Sequence, residues 1–135
     1  MKQALNATGF AFDEGTFCSW LGVVQYLTPA AIEATLAFVL SLPHASEIVF
    51  SFILPQEALS GIETYAMATA AKKALEVGEP WLSRYLPTDL ILLLRSMGFS
   101  EVVHLTPEQA QEQYLKNRHD GLAGRSGEQL MRAIV

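Results

Sequence analysis

Residues 17–27 read FCSWLGVVQYL, an apolar run interrupted by Ser19, Gly22 and Gln25. A plain core strand has no use for a glycine between Leu21 and Val23. A helix interior loses about 1 kcal/mol to one. Both difficulties disappear if residues 16–24 (TFCSWLGVV) form a strand whose carboxyl end carries the glycine. A small residue there lets a ligand or another backbone come close. Thr28-Pro29 then starts a helix, with Thr28 as cap and Pro29 in the first helical position. Ile32, Leu36, Val39 and Leu40 fall on one face of that helix, and Pro43 stops it.

The same alternation continues along the chain. Residues 47–53 (EIVFSFI) are a continuous apolar run of the kind buried on both faces of a sheet. Pro55 opens a helical stretch to about Val77, with Leu59, Ile62, Ala66 and Ala70 on its apolar side, and Gly78 and Pro80 end it. A further helix is predicted from Pro87 to Met97, closed by Gly98, and a strand over 101–105 (EVVHL). Thr106-Pro107-Glu108-Gln109 has the T-x-x-Q form of a capping box and predicts a short helix. Asn117 to Gly127 reads as loop, and 128–134 (EQLMRAI) as a last strand close enough in sequence to pair with the third.

The order β-α-β-α-α-β-α-β argues for parallel pairing through right-handed crossovers. The expected fold is a single α/β domain over residues 1–135. Its open sheet has four strands and helices on both faces. Ligands bind such sheets beyond the carboxyl ends of the strands.

Composition narrows the function. Half of the 135 residues are hydrophobic and 17% are charged, which excludes a disordered chain. Nine basic against 14 acidic residues give a net charge of −5, with no basic cluster beyond Lys72-Lys73, so no nucleic-acid partner is expected. Cys18 is the only cysteine and sits in an apolar run, where it reads as a small buried hydrophobe. His44, His104 and His119 lack ligand spacing, so no metal site is expected. Ser19 in S-W-L-G does not match the G-x-S-x-G of a hydrolase nucleophile. The apolar stretch 34–54 is broken by Pro43, His44 and Glu47, so two short buried elements explain it better than a membrane span. With no apolar leader after Met1-Lys2-Gln3, the cytoplasm is the default compartment.

Five segments occur in a familiar order: FCSWLGVVQYLT at 17–28, SEIVFSFILP at 46–55, GEPWLSRYLP at 78–87, LRSMGF at 94–99 and RHDGL at 118–122. Together they resemble the C-terminal half of the S-adenosylmethionine-dependent methyltransferases of the leucine carboxyl methyltransferase type. The resemblance implies a class I methyltransferase (Rossmann-like) sheet in which the four strands here are the family's fourth to seventh, the last antiparallel. It implies S-adenosyl-L-methionine as cofactor and a small-molecule acceptor with a carboxyl or hydroxyl group. Ser19, Trp20, Leu21 and Gly22 match the segment that passes the cofactor's methionine end. The plainer reading of these four is strand end and core. Tyr26 follows on the loop, as an acceptor contact or as a ring packed at a helix start. Trp81, Arg84 and Tyr85 lie in the break between helices where the family tends to build its acceptor pocket. An arginine there can hold a carboxylate, or it is a surface residue beside packing aromatics. Arg118, Asp120 and Gly121 match a family loop, expected as a structural turn with an ion pair.

Three departures stand out. The position that is often acidic at the end of the family's fifth strand reads Ser51, and the helix at Pro87 is preceded by Leu86 instead of an aspartate cap, with Thr88 or Asp89 as partial substitutes. The family's glycine-rich loop and acidic residue, which hold most of the cofactor, have no counterpart in residues 1–16. The expectation is therefore a truncated chain that lacks the N-terminal half, with no obligatory catalytic residue of its own. Its partner would be a separate N-terminal half, or a second copy in a homodimer through the exposed strand 17–24.

Overall fold

The computed structural model describes residues 2–120 and 127–135. After a short helix α1 (Lys2–Asn6), the chain enters β1 (Phe17–Trp20), then α2 (Pro29–Leu40) and β2 (Glu47–Ile53). Next come α3 (Gly61–Glu76), α4 (Pro87–Met97), β3 (Glu101–Leu105), α5 (Pro107–Ala110) and β4 (Glu128–Ile134). The sheet order is β1-β2-β4-β3. β1 runs parallel to β2, with Phe17 opposite Glu47, and β4 runs antiparallel to both β2 and β3. This is the expected four-stranded α/β sheet with an antiparallel last strand. That strand lies inside the sheet, between β2 and β3, pairing antiparallel with both.

Period-two alternation sends Ile48, Phe50 and Phe52 of β2 and Met131 and Ala133 of β4 to one face. There they meet Ile32, Leu36 and Val39 of α2 and Leu90 and Leu94 of α4 in one cluster. Thr28 caps α2 through its side chain, which accepts from Ala31 N, with Pro29 in the first turn as predicted. The opposite face is thinly covered: Val49, Val103, Leu105, Tyr114, Leu130 and Arg132 line a groove of about 280 Å³.

Three expectations change. The first strand stops at Trp20, not at Val24, because Gly22 takes a φ of +69° and turns the chain into a 3₁₀ turn over Val24–Tyr26. The long helix from Pro55 is broken: Gln56–Ala58 is a 3₁₀ turn, Leu59 and Ser60 are extended, and α3 begins at Gly61. The helix also shows its expected apolar side to solvent, with Ile62 83% exposed, while Met67 points inward and would meet a Cβ at Gly127 at 2.9 Å. The half-buried face carries Thr64, Met67, Ala71 and Ala74 instead.

At α4, Leu86 occupies the cap position with no side-chain bond, and Asp89 in the first turn complements the helix dipole. The capping box at Thr106 forms in both directions, with Thr106 accepting from Gln109 N and Gln109 from Thr106 N. Among the described residues no helix is long and apolar enough to cross a membrane.

Candidate functional site at the strand ends

The bend after β1 is built by main-chain chemistry. Gly22 N donates to Ser51 Oγ at 2.7 Å, so the serine in place of an acidic residue ties the bend to β2. A Cβ at Gly22 would meet nothing within 4 Å. Its positive φ, not a close neighbour in the chain, is what calls for glycine. Gln25, 7% exposed, donates from Nε2 to Gly22 O at 3.2 Å.

The irregular stretch between α3 and α4 docks on these turns. Leu82 N and Ser83 N both donate to Gln25 O, at 2.6 and 3.2 Å, and Ser83 Oγ donates to Leu27 O at 2.5 Å. Tyr85 N donates to Ile53 O at 3.0 Å, at the carboxyl end of β2. Pro80 and Pro87 keep the stretch out of both helices. Trp81, Arg84 and Tyr85 are thereby brought over the carboxyl ends of β1 and β2, with Tyr26 beside them. Tyr26 lines an open cleft of about 550 Å³ together with Gly78, Glu79, Pro80 and Leu82.

The polar groups here are incompletely matched. The Arg84 guanidinium stacks over the Trp81 ring at 5.3 Å and makes one long bond, 3.4 Å, to Leu54 O. Among the described residues it has no carboxylate partner. Trp81 Nε1 and Gln25 Oε1 are buried without a hydrogen-bond partner among the described residues. One is a donor and the other an acceptor, and each costs about 1–3 kcal/mol while unpaired. Burial pushes the Tyr85 hydroxyl above its ordinary value, against a smaller opposing effect of a Ser83 hydrogen bond, so it stays protonated at neutral pH.

The four residues matched to the cofactor segment do not converge. Trp20 turns toward the core, with its ring 6.0 Å from Phe50. Ser19 and Leu21 are exposed, and Gly22 N is already engaged by Ser51. Cys18 is half-buried, and burial raises its thiol pKa, which lowers its thiolate fraction. Arg118 and Asp120 form the expected ion pair, Nε to Oδ1 at 3.1 Å, whereas Gly121 lies outside the described residues. Sequence reasoning did not single out Ser83 or Glu79. Gln25 carried a signal, as a polar residue in an apolar run, but its main role is played by a backbone carbonyl.

The leucine carboxyl methyltransferase family model matches residues 1–40, which include the FCSWLGVVQYLT segment. The later resembling segments lie outside the match. No curated protein matches the chain. A crystal structure assigned as an O-methyltransferase from Nostoc punctiforme superposes with a TM-score of 0.52 at 12% identity. The superposition covers 91% of this chain and 33% of that one, so the chain spans about a third of its neighbour's length. The chain thus resembles the leucine carboxyl methyltransferase family over its first forty residues and shares the sheet of a methyltransferase fold.

Proposed function

We propose that the chain is part of an S-adenosylmethionine-dependent O-methyltransferase acting on a small acceptor with a carboxyl or hydroxyl group. The observation that carries this reading is the docking of residues 81–85 on the strand ends through Gln25 O and Ile53 O. What supports the reading is that this docking leaves an Arg84 guanidinium beside those strand ends with no carboxylate partner among the described residues.

Arg84, stacked on the Trp81 ring, fits the amino-acid end of the cofactor, whose carboxylate would meet the guanidinium. Bound, the cofactor supplies an electrophilic methyl on a sulfonium. The chain's part is to hold and orient. Arg84 offers charge-assisted hydrogen bonds and Trp81 a flat apolar wall. A carboxylate acceptor needs no general base, and a protonated Tyr85 provides none. In this reading the elements that hold the adenosine come from polypeptide other than these 135 residues, in the same or a second chain. The exposed edge of β1 favours a second reading, a non-catalytic protein that works by self-association.

Calorimetric titration with S-adenosylhomocysteine tests the first reading. Binding between about the micromolar and millimolar level is expected, and it is lost in Arg84→Gln. A folded chain that takes up no ligand refutes the cofactor assignment for these residues.

A further inference from the structure

The cleft beside Tyr26 is shaped by bonds within this chain. Gly78, at a φ of +83°, ends α3: its N–H donates to Leu75 O at 3.1 Å, and Glu79 N donates to Ala74 O at 2.9 Å. These are the two bonds of a Schellman motif, and they fix where the Glu79 side chain leaves the main chain. The other side is fixed as well. Tyr26 N donates to Val23 O at 3.0 Å, and the neighbouring Gln25 O accepts from Leu82 N at 2.6 Å, which ties the two sides together. The space of about 550 Å³ is lined by Tyr26, Gly78, Glu79, Pro80 and Leu82.

Two of these five have polar side chains. The Glu79 carboxylate makes no ion pair or hydrogen bond among the described residues, and the hydroxyl of the half-buried Tyr26 makes no hydrogen bond among them. No lysine, arginine or histidine among the described residues lines the space. A carboxylate only accepts hydrogen bonds, whereas a phenol both donates and accepts. A ligand hydroxyl suits both groups, because it can donate to Glu79 and accept from Tyr26. A ligand carboxylate can accept from Tyr26 but has no proton to donate, and it meets Glu79 as a like charge.

We propose that this cleft takes a neutral hydroxyl group and rejects a carboxylate, so that of the two acceptor kinds the hydroxyl is the one methylated. The group's role as methyl acceptor rests on the methyltransferase reading. The selectivity rests on Glu79 and Tyr26. Arg84 does not cancel it: the guanidinium is stacked on Trp81, outside the cleft lining, and forms no ion pair with Glu79.

Two probes of similar size, benzyl alcohol and benzoate, test the selectivity by nuclear magnetic resonance titration of the isotope-labelled chain. The amides of Gly78, Glu79 and Leu82 are the reporters. An Arg84→Gln background keeps the guanidinium from collecting benzoate at the strand ends. Benzyl alcohol is expected to shift the reporters saturably at millimolar concentration, and benzoate to bind about threefold more weakly. Glu79→Gln closes that gap, and Tyr26→Phe weakens benzyl alcohol by about threefold. Reporters that respond to neither probe overturn the proposal. Benzoate that binds as tightly as benzyl alcohol overturns it too, and so does a gap that persists in Glu79→Gln. An unchanged Tyr26→Phe removes the part assigned to Tyr26. Uptake of S-adenosylhomocysteine is read separately. Its failure alone removes the acceptor role and leaves a hydroxyl-binding cleft, whereas failure of the probes leaves the cofactor assignment standing.

Discussion

Replacing Gly22 distinguishes a glycine chosen for its backbone from one chosen for space. The residue sits at φ +69°, its N–H is held by Ser51 Oγ at 2.7 Å, and a Cβ meets nothing within 4 Å. Gly22→Ala therefore introduces no clash and costs only the left-handed penalty, about 1–2 kcal/mol. Gly22→Asn, which tolerates that region, recovers part of the loss. Ser51→Ala leaves the Gly22 N–H to solvent at the partly exposed bend, for about 1 kcal/mol. Urea denaturation reads all three variants. With a slope of about 1–3 kcal/mol per molar for a small domain, Gly22→Ala moves the midpoint down by roughly 0.3–2 M without changing the slope. The two sites share one hydrogen bond, so the double variant loses less than the sum of the singles. If Asn is no better than Ala, or if Gly22→Ala costs more than about 4 kcal/mol, the backbone argument fails. A contact with the missing hydrogen atom would then have to be responsible.

Other expectations are shorter to state. Leu94→Ala, at a fully buried position between α4 and the sheet, costs about 2–5 kcal/mol by the same assay. Thr106→Ala removes half of a closed capping box and about 1 kcal/mol, seen as faster amide exchange confined to α5. Glu47 lies below the ordinary carboxylate range because Arg132 donates to it, at 2.7 Å. A lowered folded pKa means that its stabilisation is fully present above the unfolded value, about 4.3. It is lost as pH falls through the folded value. Acid titration of wild type and Glu47→Gln should therefore show a stability gap near neutrality that closes on acidification. A gap independent of pH contradicts the pairing.

The sequence is most readable where the cause is local. Thr28-Pro29 followed by Ile32, Leu36 and Val39 carries a cap, a preset φ and a stripe, and α2 forms as they predict. The run EIVFSFI needs only to be apolar and bounded to become β2. β1 is harder, because Val23 and Val24 favour a strand by propensity. A single positive φ at Gly22, fixed from a distance by Ser51, outweighs them. α3 fails for a different reason. Its sequence, GIETYAMATAAKKALE, places small or apolar residues on nearly every side, so no period selects a face. The face that is half-buried carries Thr64, Met67, Ala71 and Ala74, small or flexible side chains that the apolar pattern does not pick out.

The strand-end site divides along the same line. Trp81, Arg84 and Tyr85 are named in the sequence by the family resemblance, at a break between helices that Pro80 and Pro87 bound. What holds that break in place could not, because the acceptors are the carbonyls of Gln25 and Ile53. A carbonyl is present at every position and has no sequence signature. The consequence reaches function. A docking made from main-chain bonds keeps its geometry while the side chains it presents are exchanged. The strand ends of this sheet can therefore hold the same loop in the same place while the residues facing the ligand change. Arg84, whose guanidinium makes one long bond among the described residues, is the side chain whose exchange should alter what the strand ends hold without unfolding the sheet.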